Sequence, residues 1–338
     1  MALSYAAIYI NPSKFGLPLF FGLFFIPLLG LNISLFLIAL IKGSKSIWIP
    51  LVVILPALLY TELFFKIGND ESPNKEGIKL SIESYNVGTF NSSKEKLTRN
   101  ECRDKVKSHI KEDIPDIICF QEFFADTYLQ ADTTLSIYKY RYYHLFKTKS
   151  GKLFGNLTLS KFPIVNKGTI SFKKSTNLSI YTDINHYDRV IRIYNNHLES
   201  YNVSFTGLVK KLSRNSGIKS DELKNDIKVV HEKMLGTFIR RSDQVNKILD
   251  NIKSSSFPAI ICGDFNDTPV SYTYHKLSQN RKDSFKESGK GFGGTFTHLW
   301  PVLRIDYILY PKEFSSTTHK TQKIKLSDHY PIKAELII

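Results

Sequence analysis

The 338-residue chain has only three cysteines, too few for a disulfide framework. Cys119 and Cys262 lie inside the apolar runs Ile117-Ile118-Cys119-Phe120 and Ile260-Ile261-Cys262. They read as small hydrophobes on buried strands. Cys102 follows Glu101 in a polar stretch of helical character. None stands near histidines at ligand spacing, so a zinc site built on Cys and His is set aside. No internal repeat is visible, which excludes a repeat array. No stretch is low in complexity. Acidic residues are in deficit, with 31 Asp+Glu against 46 Lys+Arg and a formal charge of +15. The first 67 residues hold four Lys, one Glu and no Arg. The excess therefore sits in the remainder, with 42 basic and 30 acidic residues. A basic soluble domain favours anionic partners, although a Lys-rich solvated face has the same composition.

Long apolar runs are present, and both are near the N-terminus. Phe15–Ile41 is broken mainly by Asn32 and Ser34, and Ile47–Phe65 by prolines, Tyr60, Thr61 and Glu62. About twenty apolar residues span a bilayer. Two such runs back to back do not fit a signal peptide, which has one short apolar core. Residues 1–67 are therefore expected to be a membrane anchor with two transmembrane helices, about 15–41 and 47–65, joined by Lys42-Gly43-Ser44-Lys45-Ser46. The lysines of that loop place it in the cytoplasm by the positive-inside rule. The rest of the chain then lies outside the cell membrane. Residues 68–77, polar with two Gly and one Pro, read as a linker. A soluble domain over 78–338 follows.

In that domain, short apolar or alternating runs bounded by turns predict strands at Ile78–Val87, Ile117–Gln121, Asn156–Ser160, Val190–Asn195, Ala259–Cys262, Ile305–Leu309 and Ile332–Ile338. Ser92–Lys111 and Asp221–Ile252 carry helical periodicity. Val203–Ser220 has the polar look of an insertion. Alternating strand and helix signals give an α/β domain with buried sheets.

The chemistry-bearing residues stand in short motifs, most of them at the ends of those strands. In order they are Tyr85-Asn86, Gln121-Glu122, Asn196-His197-Leu198, Gly263-Asp264-Phe265-Asn266, Arg304-Ile305-Asp306-Tyr307 and Ser327-Asp328-His329. Each alone is weak. Amides, carboxylates and imidazoles gathered at strand ends build a hard-metal and acid/base site, suited to attack of water on a phosphate ester.

In this order the motifs resemble the endonuclease/exonuclease/phosphatase superfamily, over about Ile78 to Ile338. That superfamily includes DNase I-like nucleases, exonuclease III-like abasic endonucleases, neutral sphingomyelinases and inositol polyphosphate 5-phosphatases. The stretch from Gly263 to Tyr274 and the N-terminal helices look further like a membrane-anchored bacterial branch of Bacteroidetes-type genomes. The resemblance implies a four-layer α/β/β/α sandwich with the site at one end. It implies Mg²⁺ or Mn²⁺ on Glu122, with Asn86 and Asp328 completing the metal environment. Asp264 matches the group that aligns or deprotonates the attacking water, and Asn266 its neighbour on a phosphate oxygen. His329 matches the catalytic imidazole, Asp306 the carboxylate holding it, and His197 a second histidine beside the phosphate. Arg304 reads as structural. His197 has no evident carboxylate partner. Asn156 and Thr158 stand where relatives carry small or apolar residues. The resemblance implies a phosphate-ester substrate; the basic balance favours a nucleic acid, with a phosphorylated lipid headgroup or a small phosphate ester as the alternative. Loops 125–140 and 288–301, with Phe292, Phe296 and Trp300, are candidates for touching lipid. No Arg-rich helix suited to a DNA groove is present, and no protein partner is predicted.

Overall fold

The computed structural model describes residues 1–68, 76–92, 95–173, 175–201, 220–299 and 303–338. Most of the expected linker and insertion, and Trp300, lie outside the described residues. Fourteen strands run through the described residues. They are β1 (Phe65–Lys66), β2 (Lys79–Asn86), β3 (Ile117–Ala125), β4 (Tyr140–Lys147), β5 (Leu153–Ser160), β6 (Ile164–Ser171) and β7 (Leu178–His186), followed by β8 (Arg189–His197), β9 (Ala259–Asp264), β10 (Arg281–Asp283), β11 (Gly291–Phe292), β12 (Asp306–Pro311), β13 (Ser315–Thr321) and β14 (Ile332–Ile337). One six-stranded sheet has the order β10-β12-β9-β8-β7-β6 and the other β13-β14-β2-β3-β5-β4. β2 pairs parallel with β3, and β8 parallel with β9.

Alternation along the central strands explains the layers. Ile117, Cys119, Ile260 and Cys262 point between the sheets, with Ile82, Ile193, Ile308 and Ile332. Their neighbours Ile118, Phe120 and Ile261 point outward. Helix Arg99–Glu112 covers the outer face of one sheet through Cys102, Val106 and Ile110. It starts at Thr98, whose side chain accepts from Glu101 N while the Glu101 side chain accepts from Thr98 N. This capping box satisfies two donors the helix leaves open. Helices Ser220–Lys253 and Tyr272–Ser278 cover the other sheet through Val245, Ile248, Tyr274 and Leu277. All three cysteines are free and buried.

The N-terminal segment packs on that second helical layer. Ile8, Phe25, Ala57, Leu63 and Phe64 join the cluster of Tyr274, Leu277, Tyr307 and Leu309. Ala7 and Leu19 pack with Met234, Phe238 and Tyr272. β1 pairs antiparallel with β11. The first apolar run is not one straight helix, because Leu17–Leu23 and Phe25–Ile41 meet at 74°. The earlier piece folds back onto the sandwich, with Gly22 against the Val270 carbonyl. Lys45–Leu63 is long and apolar enough to cross a membrane, and the bent pair, if one span, would make a second. Leu31, Leu35, Ile38, Ile41, Trp48, Ile49, Val52 and Leu58 of these helices are exposed.

Candidate active site

Strand register brings the motifs together. Across one sheet His197 stands opposite Asp264, and Asp264 opposite Asp306. Across the other Asn86 stands opposite Gln121. Ser327-Asp328-His329 lies in the turn just before β14, and its Ser327 Oγ donates to the Asn86 carbonyl at 2.8 Å.

Glu122 reaches the site through a bulge. Phe120 pairs with Leu157 and Phe123 with Gly155, so β3 carries one residue more than β5 there. Glu122 takes φ 50°, which costs a non-glycine residue about 1 kcal/mol. Bulges re-aim side chains beside active sites. Here the extra residue lets Gln121 point inward to Asn195 Oδ1 (2.8 Å) while Glu122 turns to the site. Gly263 has φ 131°, and a Cβ there would strike the backbone of Asn196 on the adjacent strand. Only glycine meets both demands. Asn266, φ 51°, is of the type that tolerates this region best.

Asp264 is the hub. Its Oδ2 accepts from Asn86 Nδ2 at 2.9 Å and Asn266 Nδ2 at 3.1 Å, and its Oδ1 from Asn266 N at 2.8 Å. His329 Nε2 lies 3.7 Å and His197 Nε2 3.9 Å from Oδ2. Burial pushes the Asp264 carboxyl up to about 6, against the pull of His329. His329 Nδ1 donates to Asp306 Oδ2 at 3.0 Å. Burial works against charge on that imidazole, but Asp306 and Asp264 outweigh it and hold its pKa well above the ordinary value. Asp306 is fixed in turn, since Thr295 Oγ1 accepts from both Ile305 N and Asp306 N. Phe296 packs its ring against His329. Burial lowers His197, leaving it neutral. Among the described residues its Nε2 has no hydrogen-bond partner; it lies 3.5 Å from Glu122 Oε1 and 3.9 Å from Asp264 Oδ2, so the carboxylate neighbours that the sequence did not reveal are Glu122 and Asp264.

The donor set suits a hard divalent cation. Asp264, Asp306 and His329 each bring a ligand atom within 4.8 Å of the others, but His329 Nδ1 is already engaged with Asp306. Glu122 is more open, with 30% of its side chain exposed. Burial raises its pKa, and the charge of Asp328 raises it further against His329 and Asn86. A cation between such oxygens restores their ionised form. Glu122 and Asp328, whose charges act on each other, could hold it. Asn86 is placed otherwise. Its Nδ2 donates to Asp264 and, at 3.3 Å, to Glu122 Oε1, while its Oδ1 accepts from Gly88 N at 3.0 Å. It clamps the two acids, and its oxygen is engaged by the backbone. Flipping the amide would break the bond to Gly88.

Several supporting residues carried no sequence signal. Thr295 is one. Asn195 is another: its Nδ2 donates to the Phe120 and Leu157 carbonyls and to Thr158 Oγ1, and Asn156 Nδ2 donates to its carbonyl. Asn156 and Thr158 thus belong to a buried polar network between the sheets. Arg304 is fully enclosed, bonded to Asp283 and to the Leu63 carbonyl (2.9 Å). It supports the strand that begins at Asp306.

A four-layer sandwich with a buried Asp–His–Asp array beside a partly buried carboxylate at its strand ends defines a hydrolase of phosphate esters. A model of the endonuclease/exonuclease/phosphatase family matches residues 84–329, and the chain belongs to that family. A model of a domain of unknown function matches residues 1–62. No curated protein matches. Solved structures give the same fold at low identity. An endonuclease/exonuclease/phosphatase from Beutenbergia cavernae is 15% identical, with a TM-score of 0.57 over 77% of this chain and 72% of that one. One from Bacteroides vulgatus is 16% identical, with a TM-score of 0.56 over 77% and 99%. The human Nocturnin catalytic domain with bound sulfate is 18% identical, with a TM-score of 0.54 over 77% and 96%.

Proposed function

We propose that this chain is a membrane-anchored phosphoesterase that cleaves phosphodiester bonds with the help of a divalent cation, in the manner of a nuclease. The observation that carries the chemistry is the pair formed by Asp264 and His329. One is a buried carboxylate whose pKa is pushed up to about 6, and the other an imidazole kept protonated by Asp306. Asp264 is basic enough near neutral pH to take a proton from an attacking water. Asn86 and Asn266 hold it in place. His329 keeps its charge on Nδ1–H···Asp306 and presents Nε2–H to a phosphate oxygen, where charge develops. His197 offers a neutral ring beside it. Mg²⁺ or Mn²⁺, when bound, withdraws electron density from the phosphoryl and leaving oxygens. Glu122 and Asp328 would hold it.

The two apolar helices, exposed along most of their length, support an integral membrane location in the bacterial inner membrane. Lys42 and Lys45 at their tip support a catalytic domain on the periplasmic side. The basic balance of the domain supports a nucleic-acid substrate. A phosphorylated lipid headgroup is the second reading. It is favoured by the path from the anchor to the site: β1 pairs with β11, and the chain continues from there to Phe296 against His329.

The test is hydrolysis by the full chain in mild detergent, with DNA, RNA, sphingomyelin and phosphoinositides offered in Mg²⁺, Mn²⁺ or EDTA. Metal-dependent turnover of at least one is expected. Asp264→Asn and His329→Ala should each reduce it by roughly 10²–10⁴-fold. Turnover that survives EDTA, or either variant at wild-type rate, would refute the proposal.

A further inference from the structure

Where the N-terminal helices meet the sandwich there is a cavity of about 510 Å³. Its two walls differ in chemistry. Ile8, Leu59 and Leu63 form an apolar wall with Tyr9 and Tyr60. Arg281, Lys282, Lys286 and His275 stand on the other wall with Asp283 and Glu287. The acids there are spoken for. Asp283 Oδ2 accepts from Tyr274 OH at 2.7 Å and from Arg304. Glu287 Oε2 accepts from Tyr310 OH at 2.6 Å, and its Oε1 lies 3.8 Å from Lys282 Nζ. The cations are less well matched. Arg281 Nη1 donates to the Leu277 and Gln279 carbonyls (3.0 and 3.1 Å). Among the described residues it meets no carboxylate. Lys286 acts on Glu62, whose carboxylate is already bridged by Lys66 at 2.9 Å.

A half-buried guanidinium without a counter-charge is costly unless an anion shares its cavity. An arginine and a lysine lining one cavity suit a phosphate. A free phosphate would leave the apolar wall uncovered, and the cavity is the size of a ligand rather than an ion. Leu59, 80% exposed, continues that wall along the protruding helix. We propose that this cavity holds one anionic phospholipid, its phosphate on Arg281 and Lys286 and its acyl chains along Leu59 and Leu63. The inference rests on the membrane-anchor reading, since the collar between anchor and domain is then at the lipid surface. The cavity is separate from the catalytic centre. Asp283 pairs with Leu309, three residues along β12 from Asp306, which is about 10 Å of extended chain.

The test uses the full chain, extracted in mild detergent and read by native mass spectrometry with added phosphatidylglycerol, phosphatidylcholine or inorganic phosphate. One phosphatidylglycerol should be retained per chain, and phosphatidylcholine should not displace it. Excess inorganic phosphate should leave it bound, whereas displacement by phosphate alone would overturn the lipid assignment. Arg281→Ala should weaken retention roughly tenfold. Because that change also removes two backbone contacts, Lys286→Glu is the second variant, with the thermal midpoint as the check on folding. A folded Lys286→Glu chain that keeps the lipid at wild-type occupancy would overturn the proposal. Membrane fractionation separates this from failure of the anchor. A variant that stays in the membrane but loses the lipid supports the cavity, while wild-type chain in the soluble fraction refutes the anchor and the inference together.

Discussion

Glu83 lies on β2, three residues before Asn86, and is buried, its Oε1 without a hydrogen-bond partner among the described residues. Its other oxygen accepts from Gln322 Nε2 at 3.4 Å. Lys333 stands opposite on β14 but is itself committed to Asp113 at 2.6 Å. Burial therefore dominates, and the Glu83 carboxyl is pushed up from 4.5 to about 7. The folded chain holds this proton more tightly than the unfolded chain. The stability Glu83 contributes is thus fully present below pH 4.5 and is lost as pH rises through about 7. A shift from 4.5 to about 7 corresponds to about 3 kcal/mol lost. Glu83→Gln keeps the shape and cannot ionise. Thermal unfolding of both chains at about pH 4 and about pH 9 isolates the effect, because other titrations are common to both. The variant should be nearly neutral at the lower pH and more stable by about 3 kcal/mol at the higher. A difference independent of pH, or one favouring the wild type at high pH, would show that Glu83 is not held protonated by its burial.

Three further outcomes follow from the geometry. Gly263→Ala places a Cβ against the Asn196 backbone at φ 131°; a loss of about 3 kcal/mol or more is expected, seen as a fall in Tm of roughly 5–10 °C. Asp306→Asn removes the charge that keeps His329 protonated; kcat should fall roughly 10²–10⁴-fold with KM little changed, and the alkaline limb of the pH profile should move to lower pH. Deleting residues 1–67 strips the partners of Val270, Tyr272, Tyr274 and Leu277 and takes the Leu63 carbonyl from buried Arg304; the truncated chain should aggregate or bind ANS, and a monodisperse product with a sharp thermal transition would contradict this.

The sequence pattern reveals β3 and β9 because they are buried on both sides and rich in Ile, Cys and Phe, but not the inner strand β7, Leu178–His186, where Ser179, Thr182 and Asp183 interrupt the apolar residues. Predicted Ile117–Gln121 and Ala259–Cys262 fall inside β3 and β9. It did not find β4, Tyr140–Lys147, whose residues are half-buried without alternation. Nor did it find β13, a run of Ser, Thr, His and Lys at a sheet edge. Edge strands are held by one ladder and need little apolar surface, so periodicity is faint there. The helix predicted to start at Ser92 begins at Arg99, where the Thr98 capping box sets the boundary.

For the site, local sequence determined which groups were available and that most stand where strands end. Tertiary structure decided their duties. A bulge at Glu122 and register between β8, β9 and β12 aim side chains from positions 86 to 329 at one another, and no local pattern encodes such distances. It also decided that Asn86 faces the acids as a donor, that Glu122 and Asp264 are the neighbours of His197, and that Arg304 reaches the Leu63 carbonyl. Composition alone marked the first 67 residues as apolar and separate in character. Packing joins part of them to the core, because residues such as Leu19, Phe25 and Leu63 are as suited to a protein interior as to a bilayer. Only the fold shows which of them meet Tyr272, Tyr274 and Phe238 and which stand bare.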